Sequence, residues 1–100
     1  MIEIKDWVVF EGTGAAAGQF FVKPYTIQNY TNAIVTFDSD TKIGVDVDGL
    51  VIKLVGDTDP HRTGRGVSWH WFGEGDNKRQ VDMVESSLEE MVAHLGNTAG

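Results

Sequence analysis

Apolar and polar residues alternate most regularly in the middle of the chain, on both sides of an Asp-Gly pair. In IGVDVDGLVIKL, residues 43–54, every second residue is apolar before Asp48-Gly49 and again after it. Asp-Gly favours a two-residue type I′ turn, because that turn needs a positive φ at both positions. The pattern therefore predicts a β-hairpin in which Val45 lies opposite Ile52 and both side chains face the core.

A second turn extends this hairpin to three strands. A loop over residues 38–42 would fold the preceding segment back and place Val35 opposite Val45 on the same apolar face. Asp46 lies on the other face of this arrangement and is expected to face water. The three strands form a predicted central meander over 33–56, at about 33–37, 43–48 and 50–56.

Two upstream segments are predicted to be strands because they are rich in β-branched and aromatic residues. In the first segment, 2–10, the apolar positions change parity, which indicates a β-bulge near Lys5-Asp6. The second segment, 20–27, contains Pro24. A proline within a strand pattern indicates an edge strand or a break in the strand.

Between these two segments lies GTGAAAG, residues 12–18, whose glycine spacing raises the question of a nucleotide-binding loop. Such a loop holds phosphate because its glycines open a helix whose first amides face the ligand. Here the loop is followed by QFFVKP, which is typical of a strand, and Pro24 would interrupt a helix at this point. We interpret GTGAAAG as a small-residue loop between strands and expect no nucleotide site there.

The last third of the chain predicts one further strand, an ambiguous segment and a helix. Val67–Phe72 is typical of a strand, and 73–77 resembles a turn. Residues 79–84 fit either a returning strand or the start of a helix with Asp82 as its cap. The helix that follows has apolar residues at i, i+3, i+4 and i+7, namely Leu88, Met91, Val92 and Leu95.

Both ends of this helix carry capping signals. Ser86 with Glu89, and Ser87 with Glu90, match the capping box at its start. Gly96 is suited to ending the helix, and the last few residues are expected to fray.

Together these elements predict an α+β fold. It is a β-rich, mostly antiparallel, curled sheet of about six strands with one C-terminal amphipathic helix, which covers a face of the sheet. One hundred residues with 41% apolar content fit a single globular domain. The chain has no cysteine, so its core must hold by packing alone, without disulfides or thiolate-bound metal.

Charge narrows the classes of partner. The net charge of −7 is spread along the chain, which disfavours binding to nucleic-acid phosphates and leaves a basic protein partner as one possibility. The sequence contains no secretory pattern at its start and no apolar run long enough for a membrane span. We therefore expect a cytoplasmic protein with no membrane partner and no cofactor.

One loop concentrates basic residues in this otherwise acidic chain. In DTDPHRTGRG, residues 57–66, His61, Arg62 and Arg65 lie close together. Guanidinium groups, an imidazole and glycine amides are suited to holding a phosphate or a carboxylate. An exposed loop whose arginines pair with its own aspartates explains the same residues, and we favour that interpretation.

The strand after this loop carries two tryptophans. Trp69 and Trp71 share a face and are expected in the core, because indole rings bury large apolar areas, and His70 would then face outward. The alternative is an aromatic platform beside the basic loop. The histidines lack the spacing of metal ligands, so no metal is expected. The candidate ligand-binding residues are His61, Arg62, Arg65, Trp69, His70 and Trp71.

The chain contains no complete catalytic set, which argues against an enzyme. An excess of apolar and aromatic strands for a small core predicts a non-enzymatic interaction module that self-associates as a dimer through strand edges or an aromatic face. Two alternatives stay open. The first is a binding protein or small enzyme for a small anionic ligand, using 57–66 and 67–72. The second is an inhibitor that mimics nucleic acid through acidic residues, namely Asp82, Glu85, Glu89 and Glu90.

Overall fold

Eight strands form one curled sheet, and a helix packs against one of its faces. The computed structural model describes residues 1–24, 30–56, 66–73 and 75–95. The strands and the helix are β1 (Ile2–Lys5), β2 (Trp7–Gly12), β3 (Phe20–Pro24), β4 (Ile34–Asp38), β5 (Ile43–Asp46), β6 (Val51–Val55), β7 (Val67–Phe72), β8 (Arg79–Glu85) and α1 (Leu88–Leu95).

The strand order is β1-β6-β5-β4-β3-β2-β8-β7, and every neighbouring pair is antiparallel except β1 and β6. The predicted fold class is confirmed: a curled, mostly antiparallel sheet with a C-terminal helix. The sheet has more strands than the six expected. One is added because 2–10 is divided in two, and another because the ambiguous segment 79–84 is a strand, β8.

The division of 2–10 occurs at Asp6, whose φ is +49°. β1 runs parallel to β6 with Ile4 beside Leu54, whereas β2 runs antiparallel to β3 with Val9 beside Val22. The change in parity of the apolar positions therefore marks a change of partner strand and not a bulge within one strand.

β3 ends at Pro24 and lies between β2 and β4, so the proline marks a break and not an edge strand. Its described partner at that position is Trp7 on β2. The predicted continuation from residue 25 to 27 lies outside the described residues.

The central meander is confirmed, but its predicted register is wrong by one residue. Ile52 lies opposite Gly44, not Val45. The β5–β6 loop contains three residues before Leu50, with Gly49 at φ +84°, which is a type I turn followed by a left-handed glycine and not a type I′ turn. The reason lies in Asp46. It is 2% exposed, and its Oδ1 accepts hydrogen bonds of 2.9 Å from the amides of Asp48 and Leu50.

The β4–β5 hairpin shows the same shift. Thr36 lies opposite Val45, where the prediction placed Val35, and Phe37 lies opposite Gly44. A Cβ added to Gly44 would lie 3.0 Å from Cδ1 of Phe37, so the ring of Phe37 occupies the space that a side chain would need. This register therefore leaves room for the large ring on the buried face.

Apolar side chains form two cores on opposite faces of the sheet. We call the first the helix-side core; its buried members are Ile4, Trp7, Val9, Phe20, Val22, Ile34, Phe37, Ile52, Leu54 and Met91. We call the second the hairpin-side core; its buried members are Val8, Phe10, Ala16, Phe21, Tyr30, Val81 and Met83. β2 and β3 contribute to both cores, which explains why each of these two strands contains an uninterrupted run of apolar residues.

α1 covers the helix-side core through the predicted stripe. Met91 is fully buried, and Leu88, Val92 and Leu95 pack around it. The Ser87 hydroxyl accepts a hydrogen bond of 3.1 Å from the Glu90 amide, so Ser87 is the N-cap. The Glu90 carboxylate does not return to Ser87 but accepts a 2.6 Å hydrogen bond from the Ser86 hydroxyl.

The glycine-rich segment is a loop between antiparallel strands, as predicted. One turn of 3-10 helix, Gly14–Ala16, connects β2 to β3. A Cβ on Gly12 would lie 2.6 Å from Cβ of Ala16, so this turn folds tightly against the end of β2. A strand and not a helix follows the loop, so the amides are not arranged as in a dinucleotide site.

Candidate binding surface on the β7–β8 hairpin

β7 forms an edge of the sheet and, among the described residues, pairs only with β8. The two strands are antiparallel, with Trp69 opposite Asp82 and Trp71 opposite Gln80. Side chains on such a hairpin alternate between two faces. One face packs toward the hairpin-side core and the other faces away from it.

The tryptophans lie on the face that points away from the core, which makes the predicted core position wrong. Trp69 is 55% exposed, Trp71 is 50% exposed and Val67 is 79% exposed. The two indole rings lie edge to face with their centroids 6.5 Å apart. Val84 on β8 is also exposed, so an apolar surface extends across both strands; we call Val67, Trp69, Trp71 and Val84 the outer patch.

The inward face of β7 explains this orientation. Ser68, His70 and Phe72 are half-buried and cover aromatic rings of the hairpin-side core. The Phe72 ring lies 5.0 Å from the Phe21 ring, and the His70 ring lies 5.0 Å from the Tyr30 ring. The parity that packs Phe72 on the core necessarily exposes both tryptophans.

Tyr30 is the polar centre of this packing. The Tyr30 hydroxyl shares a 2.5 Å hydrogen bond with the Ser68 hydroxyl. The Phe10 ring packs edge to face against the Tyr30 ring. Burial raises the pKa of Tyr30 above its usual 10.0, and the hydrogen bond to Ser68 opposes part of that increase. The phenol is therefore neutral at physiological pH, which suits a hydrogen-bonding role and not that of a nucleophile or base.

A cleft of about 580 Å³ lies beside this cluster. The hairpin contributes His70, Trp71 and Arg79 to its lining, and two other parts of the chain contribute Asn32 and Asp48. Asn32, which precedes β4, donates a hydrogen bond through Nδ2 to Asp48 Oδ2 in the β5–β6 loop. The cleft thus combines aromatic rings with donors and acceptors.

The six residues predicted to bind a ligand have different outcomes. His61, Arg62 and Arg65 lie outside the described residues. Trp69, His70 and Trp71 share β7, but His70 faces the core and the tryptophans face away, so the prediction that His70 faces outward is wrong. Trp71 and His70 both line the cleft, whereas Trp69 does not.

Sequence reasoning missed the other groups of the cleft. Tyr30, Asn32 and Arg79 are far apart in the sequence and match no short motif. Asp48 was interpreted only as a turn residue. An Asn-Asp pair brought together by a sheet leaves no signal in sequence spacing.

In the described part of the chain, no three His, Cys, Asp or Glu side chains are grouped closely enough to hold a metal ion. Within the same described residues, no helix has the length and apolar character needed to cross a membrane, and α1 has only eight residues.

Comparison with known proteins yields no relative: the chain has no significant match to a protein-family model, a curated protein or a solved structure.

Proposed function

We propose that this protein is an interaction module that forms a symmetric homodimer through β7. The observation that carries the proposal is the outer patch, which is an exposed apolar surface on an edge strand. Edge strands expose unpaired amide and carbonyl groups and readily add a further strand. Exposed apolar patches on small proteins commonly mark interaction sites.

A twofold axis fits the sequence of β7. Two antiparallel copies can pair with His70 opposite His70, which places Trp69 of one copy opposite Trp71 of the second copy. Directly opposed aromatic side chains on one face of a sheet stabilise strand pairing, each pair by about 0.5–1.5 kcal/mol beyond the area it buries. The indoles that are half-exposed in the single chain would then be covered.

Charge favours this strand over the rest of the surface as the contact between two copies. A chain of net charge −7 repels a second copy at most approaches. Residues 66–73 contain no acidic side chain and no lysine or arginine. Pairing through β7 therefore brings two copies together where their like charges are sparse.

The other functional hypotheses stay predictions. A site for a small anionic ligand on 57–66 depends on arginines outside the described residues. A basic protein partner or nucleic-acid mimicry would use the exposed acids, of which Asp82 lies on the outward face of β8 and Glu89 and Glu90 lie on α1. None of these residues belongs to the outer patch.

Measurement of mass against concentration tests the proposal. We expect light scattering after size exclusion to give twice the 11.0 kDa chain mass at micromolar concentration. Trp69→Glu should raise the dissociation constant of the dimer by more than about tenfold, because it replaces an apolar contact with a repelling charge in each copy. Val47→Glu is the matched control, since Val47 is also exposed but lies outside the outer patch.

A wild-type chain that stays at the monomer mass would refute the proposal. Equal weakening by the two variants would also refute it, because a general charge effect would then explain both.

A further inference from the structure

We propose that the cleft beside Tyr30 binds a neutral saccharide ring. This inference concerns the lining of the cleft, of which only Trp71 also belongs to the outer patch. The cleft volume of about 580 Å³ falls within the range of small-ligand pockets and accommodates one or two sugar rings.

Asn32 and Asp48 are held in place before any ligand arrives. The Asp48 carboxylate accepts a hydrogen bond from Asn32, and the Asp48 amide donates to the Asp46 carboxylate. Next to Asn32, Thr31 exchanges hydrogen bonds with Val22 on β3, which ties this segment to the sheet. Groups that are already oriented bind a ligand without a further cost in conformational entropy.

Charge decides the class of ligand. Asp48 and Arg79 carry opposite charges and both line the cleft, so neither an anion nor a cation gains a net attraction there. An anion would also approach against a net charge of −7. The cleft therefore favours a neutral ligand.

Hydrogen-bonding groups and rings narrow this class to a polyhydroxylated ring. Asn32 and Asn77 offer both donors and acceptors, Asp48 offers acceptors, and Arg79 offers donors in a plane. Among the described residues, the Arg79 guanidinium has no partner, so its donors are available. Sugar hydroxyls need both kinds of group. The face of a sugar ring carries C–H bonds, which suit the aromatic side chains that line the cleft, among them Phe72 and Trp71.

In an NMR spectrum, the indole N–H signals of the three tryptophans report on three different parts of the molecule. Trp71 lines the cleft and belongs to the outer patch, Trp69 belongs to the outer patch alone, and Trp7 is buried in the helix-side core. The probes are methyl glycosides of glucose, galactose, mannose and N-acetylglucosamine, together with cellotriose, maltotriose and chitotriose, added to isotope-labelled protein. We expect at least one of these sugars to move the Trp71 signal saturably at millimolar concentration and to leave the Trp7 signal in place.

Variants separate this site from the dimer interface. Asp48→Ala and Arg79→Ala should each weaken binding of the active sugar by about fivefold or more, since each removes hydrogen bonds to hydroxyls. Trp69→Glu, which is expected to break the dimer, should not weaken sugar binding, because Trp69 does not line the cleft. Dimer mass and sugar affinity can therefore fail separately.

Three results would overturn the proposal. In the first, no sugar of the panel moves the Trp71 signal. In the second, sugar binding survives both Asp48→Ala and Arg79→Ala. In the third, benzoate or glucose 6-phosphate shifts the Trp71 signal more strongly than every neutral sugar does. The last result would identify an anion or planar-ring site instead.

Discussion

The two cores of the sheet differ in composition and in closure. The helix-side core consists of apolar side chains and Trp7, and α1 covers it. The hairpin-side core includes the Tyr30 phenol, is flanked by half-buried His70, and adjoins an open cleft. One face of the sheet is therefore closed by the helix, whereas the other face stays partly open beside polar groups.

The largest effect is expected from matched aromatic truncations in the two cores. Phe37→Ala should lower the free energy of unfolding by about 3–5 kcal/mol, because the ring is fully buried and Gly44 cannot fill the cavity. Phe72→Ala should lower it by only about 1–2 kcal/mol, since Phe72 is half-buried. Urea unfolding measures both values. Equal losses would show that the two cores contribute alike.

The buried carboxylate of Asp46 holds the β5–β6 loop. Asp46→Ala should lower stability by about 2 kcal/mol, because the amides of Asp48 and Leu50 both lose their acceptor. Asp38→Ala is the control: its carboxylate accepts one hydrogen bond, from the Asp40 amide in an exposed loop, so a loss below about 1 kcal/mol is expected. A loss from Asp46→Ala no greater than the control would contradict the role assigned to this turn.

Tyr30→Phe tests the polar character of the hairpin-side core. The variant should lose about 1 kcal/mol near neutral pH, since Ser68 loses its hydrogen-bond partner. The folded chain raises the pKa of Tyr30, so its contribution is fully present below the unfolded value of 10.0 and is lost as the pH rises through the folded value. Melting temperatures measured up to strongly alkaline pH should therefore fall more steeply for the wild type than for Tyr30→Phe.

Ser68→Ala provides the matched control for this experiment. It removes the same hydrogen bond but keeps the titrating phenol, and it also removes the contact that lowers the Tyr30 pKa. The alkaline loss of stability should persist in Ser68→Ala. Persistence of the alkaline loss in Tyr30→Phe would mean that the phenol is not its source.

The smallest effect on stability is expected on the outer patch. Trp69→Thr should change the free energy of unfolding by less than about 0.5 kcal/mol in dilute solution, because the indole is exposed and threonine suits a strand. Thermal unfolding at low protein concentration measures this value. A loss as large as that of Phe72→Ala would place Trp69 in the core after all.

Features that depend on neighbouring residues were predictable from the sequence. The apolar stripe of α1 and its serine cap are set by spacings of three and four residues. The meander follows from alternation around Asp48-Gly49, and the glycine-rich loop follows from the strand pattern after it. Each of these inferences needs only local geometry.

Features that depend on distant contacts were not predictable. The register of the hairpin depends on whether Asp46 turns inward to hold the loop amides, and Asp-Gly alone does not specify this. The orientation of β7 depends on Phe21 and Tyr30, which Phe72 and His70 must cover. Both faces of the strand VSWHWF carry aromatic side chains, so the sequence alone does not show which face is buried. Hydrophobicity favoured burial of the tryptophans, which was wrong.

The parallel pairing of β1 with β6 has a consequence for how the molecule assembles. The two strands are separated by roughly half the chain, so closing that loop costs entropy before any ladder bond forms between them. The loops of the β5–β6 and β7–β8 hairpins are short, so these hairpins form at a smaller cost in entropy. We expect local hairpins to nucleate folding and β1 to dock late, which would make it the last strand to become protected from hydrogen exchange during refolding.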